Sequence, residues 1–297
     1  MLPLGQFLLK KDMNAALTAF GCVMLTFLGL PGELAAAVIV AFITLQRDYK
    51  SGAFVLAFVA LPGVAFLMHG EVSPFDFIFL QCVFVWFFAA LLKKYHSWYL
   101  VFDAMAFLGV VFVVLFHCFV SDTGLFWMNF MKHLLTEVNS NLDAHVNVSQ
   151  IMTNLRLLAP YFSGVLVFSI TSLIFVELLL ARLWGYRQTG RRGKLYQEFL
   201  TLRVGYIGAA LLTLVIIGVL LHWPIARDIL FAVLLPFVVN GLSYLHYVAK
   251  RYKQMIFLVV LLYIGFFISI VSIKIVILLA LIGYVDSCCD FRKRFAL

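Results

Sequence analysis

Charged residues are scarce in this 297-residue chain, at 12% of the total, whereas 64% belong to the apolar set AVILMFWYC. A single soluble core could not bury so much apolar surface, so a soluble globular domain is excluded. The composition indicates lipid as the solvent, where only helices and closed barrels satisfy every backbone amide. Because the apolar stretches lack the alternation of barrel strands, the sequence predicts an all-α polytopic transmembrane bundle.

The sequence also lacks the motifs of common catalytic and cofactor-binding sites. It contains no HExxH, CxxC or GxSxG, and TGRRGK at 189–194 lacks the spacing and the Ser or Thr of a phosphate loop. The five cysteines lie in or at the ends of apolar runs, which indicates no disulfide framework. We therefore predict no enzymatic activity, no cofactor and no metal site.

Apolar runs mark the expected membrane-crossing helices. A span needs ~20 residues, so 34–45 and 275–287 are short, and counts from eight to ten helices stay open. Ser269, Ser272 and Lys274 interrupt the last apolar stretch, which favours a hairpin with Lys274 at its tip. The runs occupy residues 13–30, 34–45, 53–69, 75–92, 98–120, 157–184, 204–222, 229–248, 255–270 and 275–287.

The Lys and Arg residues that give the net charge of +8 are distributed along the chain as the expected topology requires. With the N-terminus inside and every run crossing, 18 of the 22 Lys and Arg fall in inside segments. Cytoplasmic loops of membrane proteins carry this excess of cations. We predict a bacterial inner-membrane protein with both termini in the cytoplasm, and the cations face lipid headgroups rather than nucleic acid. The exceptions are Lys132, Arg156, Arg227 and Lys274.

We expect one membrane domain over residues 1–297, interrupted by two polar segments. Residues 121–155 form an extracytoplasmic segment whose beginning, LFWMNFMKHLL, either places Trp127 in the membrane interface or forms a short helix within a loop. Residues 185–203 form a basic cytoplasmic loop.

The basic loop carries four cations just inside the sixth predicted helix. Such cations anchor topology and attract anionic lipid, at ~1 kcal/mol each. The same side chains would also suit a docking site for a cytoplasmic protein, and both interpretations stay open. They are Arg187, Arg191, Arg192 and Lys194.

The stretch LLPFVVNGLSYLHYVAKRYK at 234–253 places poor helix formers within an apolar run. Pro236 removes a backbone hydrogen bond and Gly241 permits close helix approach, so we expect a bend there. Asn240, near mid-depth, then contacts a substrate, as in transporters with broken helices, or simply joins two helices. The three residues are the leading candidates for substrate binding.

Glu177 is an acid within the sixth apolar run, about 7 to 8 Å deeper than Arg182 at 1.5 Å per residue. An acid at that depth should face protein, water or a cation. We expect either a carboxylate that reaches toward Arg182 or Arg187, or a coupling or substrate contact beside Asn240.

The ending LIGYVDSCCDFRKRF combines acids and cations. Asp286 and Asp290 are four residues apart, hence neighbours on one helix face. Arg292, Lys293 and Arg294 follow, where a helix C-terminus favours cations. The pattern predicts a lock at the end of the last helix rather than a catalytic pair, and the three cations are candidates for contact with lipid or a partner protein.

These two stretches, over about residues 225–297, resemble the YybS-like bacterial membrane proteins, a family of unknown function. The matching residues are Gly283, Asp286, Asp290 and the Phe-Arg-Lys-Arg that follows. Cys288, Cys289 and Asn240 depart from that pattern. The resemblance implies a distant likeness to the substrate-binding S components of energy-coupling-factor transporters and to the cell-shape protein MreD.

Two functions therefore stay open from the sequence. The first is a substrate-binding subunit of a small-molecule transporter that needs a separate energising partner. The second is a non-transporting scaffold for envelope or cell-shape machinery, in which the basic loop and tail dock partners.

Overall fold

The computed structural model describes residues 3–68, 74–142, 153, 155–156, 158–191 and 193–294. Regular structure within these residues is helical, with no strand among them, as the all-α prediction requires. The helices are α1 (Pro3–Lys10), α2 (Asp12–Leu25), α3 (Gly32–Gln46), α4 (Tyr49–Leu67), α5 (Pro74–Tyr95), α6 (Trp98–Phe119), α7 (Thr123–Leu142), α8 (Phe162–Gln188), α9 (Lys194–Leu200), α10 (Tyr206–Leu220), α11 (Pro224–Arg251), α12 (Ile256–Phe266), α13 (Ser269–Cys289) and α14 (Phe291–Arg294).

Each predicted apolar run contains one of these helices. Five stretches of the described residues are long and apolar enough to cross a membrane, and five shorter apolar helices accompany them. The helical membrane-protein class is therefore supported, while the side on which the termini lie stays a prediction. The long stretches are Phe75–Tyr95, Trp98–Phe119, Ala159–Gln188, Pro224–Arg251 and Ser272–Cys289.

The two short runs form longer helices than the sequence predicted. α3 has 15 residues and α13 has 21. The expected tip at Lys274 is wrong, because α12 ends at Phe266 and α13 already begins at Ser269. Lys274 lies exposed inside α13, where its long side chain can reach the membrane surface from the first turns of the helix.

The polar segment after α6 contains a helix of 20 residues, α7. Trp127 is buried, and its indole N–H donates to Ser163 Oγ at 2.9 Å. The ring of Phe162 lies 4.8 Å from that of Trp127, between centroids. The helix within a loop, one of the two alternatives, is therefore present, and the interfacial position of Trp127 stays a prediction. Residues 143–152 and 154 of the predicted segment lie outside the described residues.

Contacts divide the chain into two compact units. The first comprises Met1–Val101 with Ser172–Leu202, and the second comprises Phe102–Thr171 with Arg203–Leu297. The boundary falls within α6 and α8. The single domain expected over residues 1–297 stays a prediction.

The first unit is built around α3, which contacts α2, α4 and α5. Nearly every side chain of α3 from Ala36 to Leu45 is buried, because neighbours surround it on several sides. Phe42 is fully buried and stacks on Trp184 of α8, with ring centroids 4.6 Å apart. A helix that is apolar all round is typical of such a central position.

Charged side chains of the first unit gather at one set of helix ends. Arg47, after α3, pairs with Asp12 at the start of α2 and donates to the carbonyl of Leu9. Lys93 at the end of α5 donates to the carbonyl of Arg47. Segments predicted to share the cytoplasmic side therefore meet at one end of this unit.

In the second unit, α11 and α13 pack against each other with their backbones in contact. A Cβ on Gly241 would lie 2.0 Å from the carbonyl oxygen of Leu279, and one on Gly283 would lie 2.0 Å from that of Phe237. Such distances are too short for a Cβ, so both glycines are required. Close approach through small residues is a common way for helices to associate in lipid.

Gly283→Ala tests this contact. The added methyl forces α11 and α13 apart, and overpacking of this kind costs about 1–3 kcal/mol. We expect a lower unfolding temperature of the purified protein in detergent. Gly21→Ala in α2 is the control, because a Cβ there meets nothing within 4 Å. Equal unfolding temperatures for the two variants would contradict the proposed backbone contact.

Candidate functional site

The amide of Asn240 is fully buried where α11 meets α13. Its Nδ2 donates to the carbonyl of Gly283 at 2.7 Å and to Ser287 Oγ at 3.0 Å. Its Oδ1 accepts from the guanidinium of Arg292 at 3.0 Å. Both donor hydrogens and the acceptor are therefore used within the protein.

Acids and cations surround this amide. Asp286 is fully buried, with Oδ2 3.3 Å from Arg292 Nε and 3.9 Å from Arg203 Nε. Arg203 also donates to the backbone carbonyl of Asp286 and lies 2.7 Å from Asp290 Oδ1. Two carboxylates face two guanidiniums, so the group is formally neutral. We call it the Asn240 cluster: Asn240, Arg203, Asp286, Ser287, Asp290 and Arg292.

Asp290 does not share a helix face with Asp286 as predicted, because α13 ends at Cys289. Asp290 follows in the left-handed region, with φ 49°, a conformation that Asp tolerates better than most residues. Its N–H donates to the carbonyl of Asp286. This turn redirects the chain so that Arg292 folds back onto the end of α13. That this contact locks the helix end stays a prediction.

Arg292 lies within this cluster and not on an open cationic surface. Burial lowers the pKa of its guanidinium, and the charge of Asp286 opposes that shift. An arginine nevertheless keeps its proton at physiological pH. Its guanidinium also lies over the ring of Tyr247, 5.9 Å from the centroid. The side chains of Lys293 and Arg294 lie outside the described part of the chain.

Asn240 has charged neighbours that its own apolar run did not indicate, and its depth in the membrane stays a prediction. α11 has 28 residues, so it is about 42 Å long at 1.5 Å per residue and exceeds a hydrocarbon layer of ~30 Å. Its last turns extend past the level at which α13 ends. Pro236 is buried within α11, and the helix continues through it without a break.

Glu177 belongs to the first unit, where it is fully buried in α8. Its Oε1 accepts from Gln81 Nε2 of α5 at 2.5 Å, and its Oε2 has no hydrogen-bond partner among the described residues. The expected pairing with Arg182 is wrong, because Arg182 pairs with Glu198 of α9 at 3.1 Å.

The connection between α8 and α9 is held by Glu198. This carboxylate accepts two hydrogen bonds from Arg182 and one from the hydroxyl of Tyr186. Burial raises the pKa of Glu198, but the hydrogen bonds from Arg182 and Tyr186 outweigh that effect, and the pKa lies below its usual value. The carboxylate therefore keeps its charge at neutral pH and fixes α9 to the end of α8.

Cations of the predicted basic loop lie where α8 ends and α9 begins. Arg187, Arg191 and Lys194 are exposed, and we call these three residues the basic hairpin. Lys194 Nζ lies 5.4 Å from the centroid of the Tyr186 ring. Arg192 lies outside the described residues.

The structure therefore joins Asn240, Asp286, Asp290 and Arg292, which the sequence had divided between a substrate site and a helix-end lock. Sequence reasoning missed Arg203 as a member, because it lies 83 residues from Asp286 and no local spacing links them. The available signal was the position of Arg203 just before an apolar run, on the side where the end of the last helix was also expected.

Comparisons with known proteins leave the chain without a family assignment, so the YybS-like resemblance stays a prediction. No family model, curated protein or solved structure matches this sequence.

Proposed function

We propose that this chain is a multi-pass protein of the bacterial inner membrane that acts as a non-transporting scaffold for envelope or cell-shape machinery. The observation that carries the proposal is the pairing of every polar atom of the Asn240 amide within the protein. A ligand at Asn240 would have to displace those bonds and leave Arg292 and Ser287 without this partner. Removing a partner from a buried polar group costs about 1–3 kcal/mol, which argues for a structural role.

A scaffold also needs a surface that a partner can reach, and the basic hairpin supplies one. Arg187, Arg191 and Lys194 are exposed on a connection that Glu198 holds in place. A fixed array of cations is suited to an acidic surface on a cytoplasmic protein, because less side-chain and loop ordering remains to be completed on binding.

Asn240→Leu separates a structural role from a ligand contact. With a structural role, the variant lowers the unfolding temperature of the ligand-free protein by several degrees, since about 1–3 kcal/mol is lost. The control is Asn14→Leu, which removes a single bond to the carbonyl of Phe7. An unchanged unfolding temperature, together with loss of stabilisation by a small molecule, would support transport instead.

Neutralising the basic hairpin tests the scaffold directly. We expect Arg187→Gln, Arg191→Gln and Lys194→Gln in combination to release a cytoplasmic protein that co-purifies with the wild type, as measured by quantitative mass spectrometry. The matched control replaces the exposed cations Lys10, Lys50 and Lys94 by Gln.

The control variant should retain the same partner. If instead both variants lose binding equally to vesicles containing phosphatidylglycerol, and neither loses a protein, the hairpin is a lipid anchor and the docking role is wrong.

A transporter subunit remains a second candidate because of Glu177. A fully buried carboxylate with one oxygen lacking a hydrogen bond among the described residues is costly in a membrane-crossing helix. Intramembrane acids of this kind mark proton, ion or substrate contacts. The residue lies 11 positions before the end of α8, or about 16 Å at 1.5 Å per residue.

Glu177→Gln distinguishes the two candidates. The amide keeps the shape and an oxygen that can accept from Gln81, so we expect an unfolding temperature close to that of the wild type. Under the transport candidate, a small molecule or cation that stabilises the wild type no longer stabilises this variant. A ligand that stabilises both proteins equally would exclude Glu177 as its contact.

A further inference from the structure

Asp228 joins helix ends within the second unit. Its side chain is 0% exposed in the first turns of α11, and its Oδ1 accepts a hydrogen bond from the N–H of Gly164 at the start of α8. A Cβ on Gly164 would lie 1.9 Å from the backbone oxygen of Asp228, so only glycine permits this approach. Asp228 thereby caps α8, where the helix dipole favours negative charge.

The second carboxylate oxygen faces an imidazole. Oδ2 of Asp228 has no hydrogen-bond partner among the described residues and lies 3.7 Å from Nε2 of His117, near the end of α6. A buried carboxylate oxygen needs a donor to offset its lost hydration. The donors placed beside this carboxylate are Nε2 of His117 and the hydroxyl of Ser163, whose oxygen already accepts from Trp127.

The protonation of His117 decides whether it can donate. Its Nδ1 lies 3.0 Å from the carbonyl oxygen of Val113, and because a carbonyl only accepts, Nδ1 carries a hydrogen. In a neutral ring Nε2 is then a lone pair, which repels the carboxylate of Asp228. The contact becomes attractive only when a proton occupies Nε2.

Thr123 is a possible hydrogen-bond donor to the neutral ring of His117. The hydroxyl oxygen of Thr123, at the start of α7, lies 3.4 Å from Nε2 of His117. It can donate to the lone pair of neutral His117 but offers less to an imidazolium than a carboxylate does. The distances of 3.4 Å to Thr123 and 3.7 Å to Asp228 both exceed an ordinary hydrogen bond, so the ring lies between two partners.

Other charged groups near these helix ends are exposed. Asp122 accepts from the N–H of Leu125, and Arg227 lies 3.5 Å from the hydroxyl of Tyr161. The side chain of His117 is itself 22% exposed, so the protein does not fully enclose the ring.

We propose that His117 and Asp228 form a proton-binding site that joins α6 to α11 when Nε2 of His117 is protonated and joins α6 to α7 through Thr123 when Nε2 is bare. The proton comes from water and is held between one nitrogen and one carboxylate oxygen. Trp127 keeps α7 on α8 in both states through its bond to Ser163. The switch therefore acts on the first turn of α7.

The two contacts predict opposite pH dependence. The His117–Asp228 attraction needs the proton, so it stabilises at low pH and is lost as pH rises. The Thr123 hydrogen bond needs the bare nitrogen, so it stabilises at high pH. The two contacts are therefore compared in a mildly acidic and a mildly alkaline solution, at about pH 5.5 and about pH 8.

The experiment measures unfolding temperatures of the full chain in lipid nanodiscs at those two pH values. Asp228→Asn keeps an oxygen for Gly164, and we expect it to lower the unfolding temperature by at least ~3 °C more at pH 5.5 than at pH 8. Thr123→Val should show the reverse order. His222→Asn, at an exposed histidine, is the control and should shift both values equally.

Equal effects of Asp228→Asn and of Thr123→Val at the two pH values would overturn the proposal. If Asp228→Asn does not fold, His117→Gln with Thr123→Val supplies the test. The double variant should then be no less stable than His117→Gln alone at pH 8, because Thr123 has lost its acceptor. An additional loss in the double variant would equally overturn the proposal.

Discussion

Backbone contact between α11 and α13 is the constraint on which the Asn240 cluster depends. Gly241 and Gly283 allow the two helices to meet without intervening side chains. At that separation the amide of Asn240 reaches a backbone carbonyl of α13. The amide is fully buried and has no water to satisfy it, so the bond and the helix contact reinforce each other.

The need to compensate buried polar groups also determines where acidic side chains lie elsewhere in the chain. Three buried or half-buried acids have a hydrogen-bond donor from another element: Gly164 for Asp228, Gln81 for Glu177 and Arg182 for Glu198. The buried carboxylate of Asp286 instead lies beside the guanidiniums of Arg292 and Arg203. An acid removed from water is tolerated only with such compensation. Where one oxygen is left without a hydrogen bond among the described residues, as in Asp228 and Glu177, the site can take a proton or a ligand. The proton-binding proposal rests on Asp228, and the transporter candidate rests on Glu177.

Much of the fold followed from apolar periodicity and charge. Every predicted run contains a helix, and Arg47 and Lys93, which the topology placed on one side, meet at one end of the first unit. The turn before α13 was misplaced because Ser and Lys are tolerated in the first turns of a membrane helix near the surface. The sequence left two positions open for Trp127, because an aromatic ring packs equally well on a neighbouring helix or in the interface, and the structure packs it against the start of α8.

The sequence by itself determined the all-helical class and the approximate helix positions, and it singled out Asn240, Glu177 and the acidic-basic tail as candidates. The class and the helix positions depend on local hydrophobicity and charge, because these decide which segments insert into a membrane. Only the tertiary structure decided which side chains meet: Arg203 with Asp286, Gln81 with Glu177, and His117 with Asp228. Each pair joins distant parts of the chain, and hydrogen bonding between them depends on helix packing at a scale of ångströms, which residue spacing does not encode.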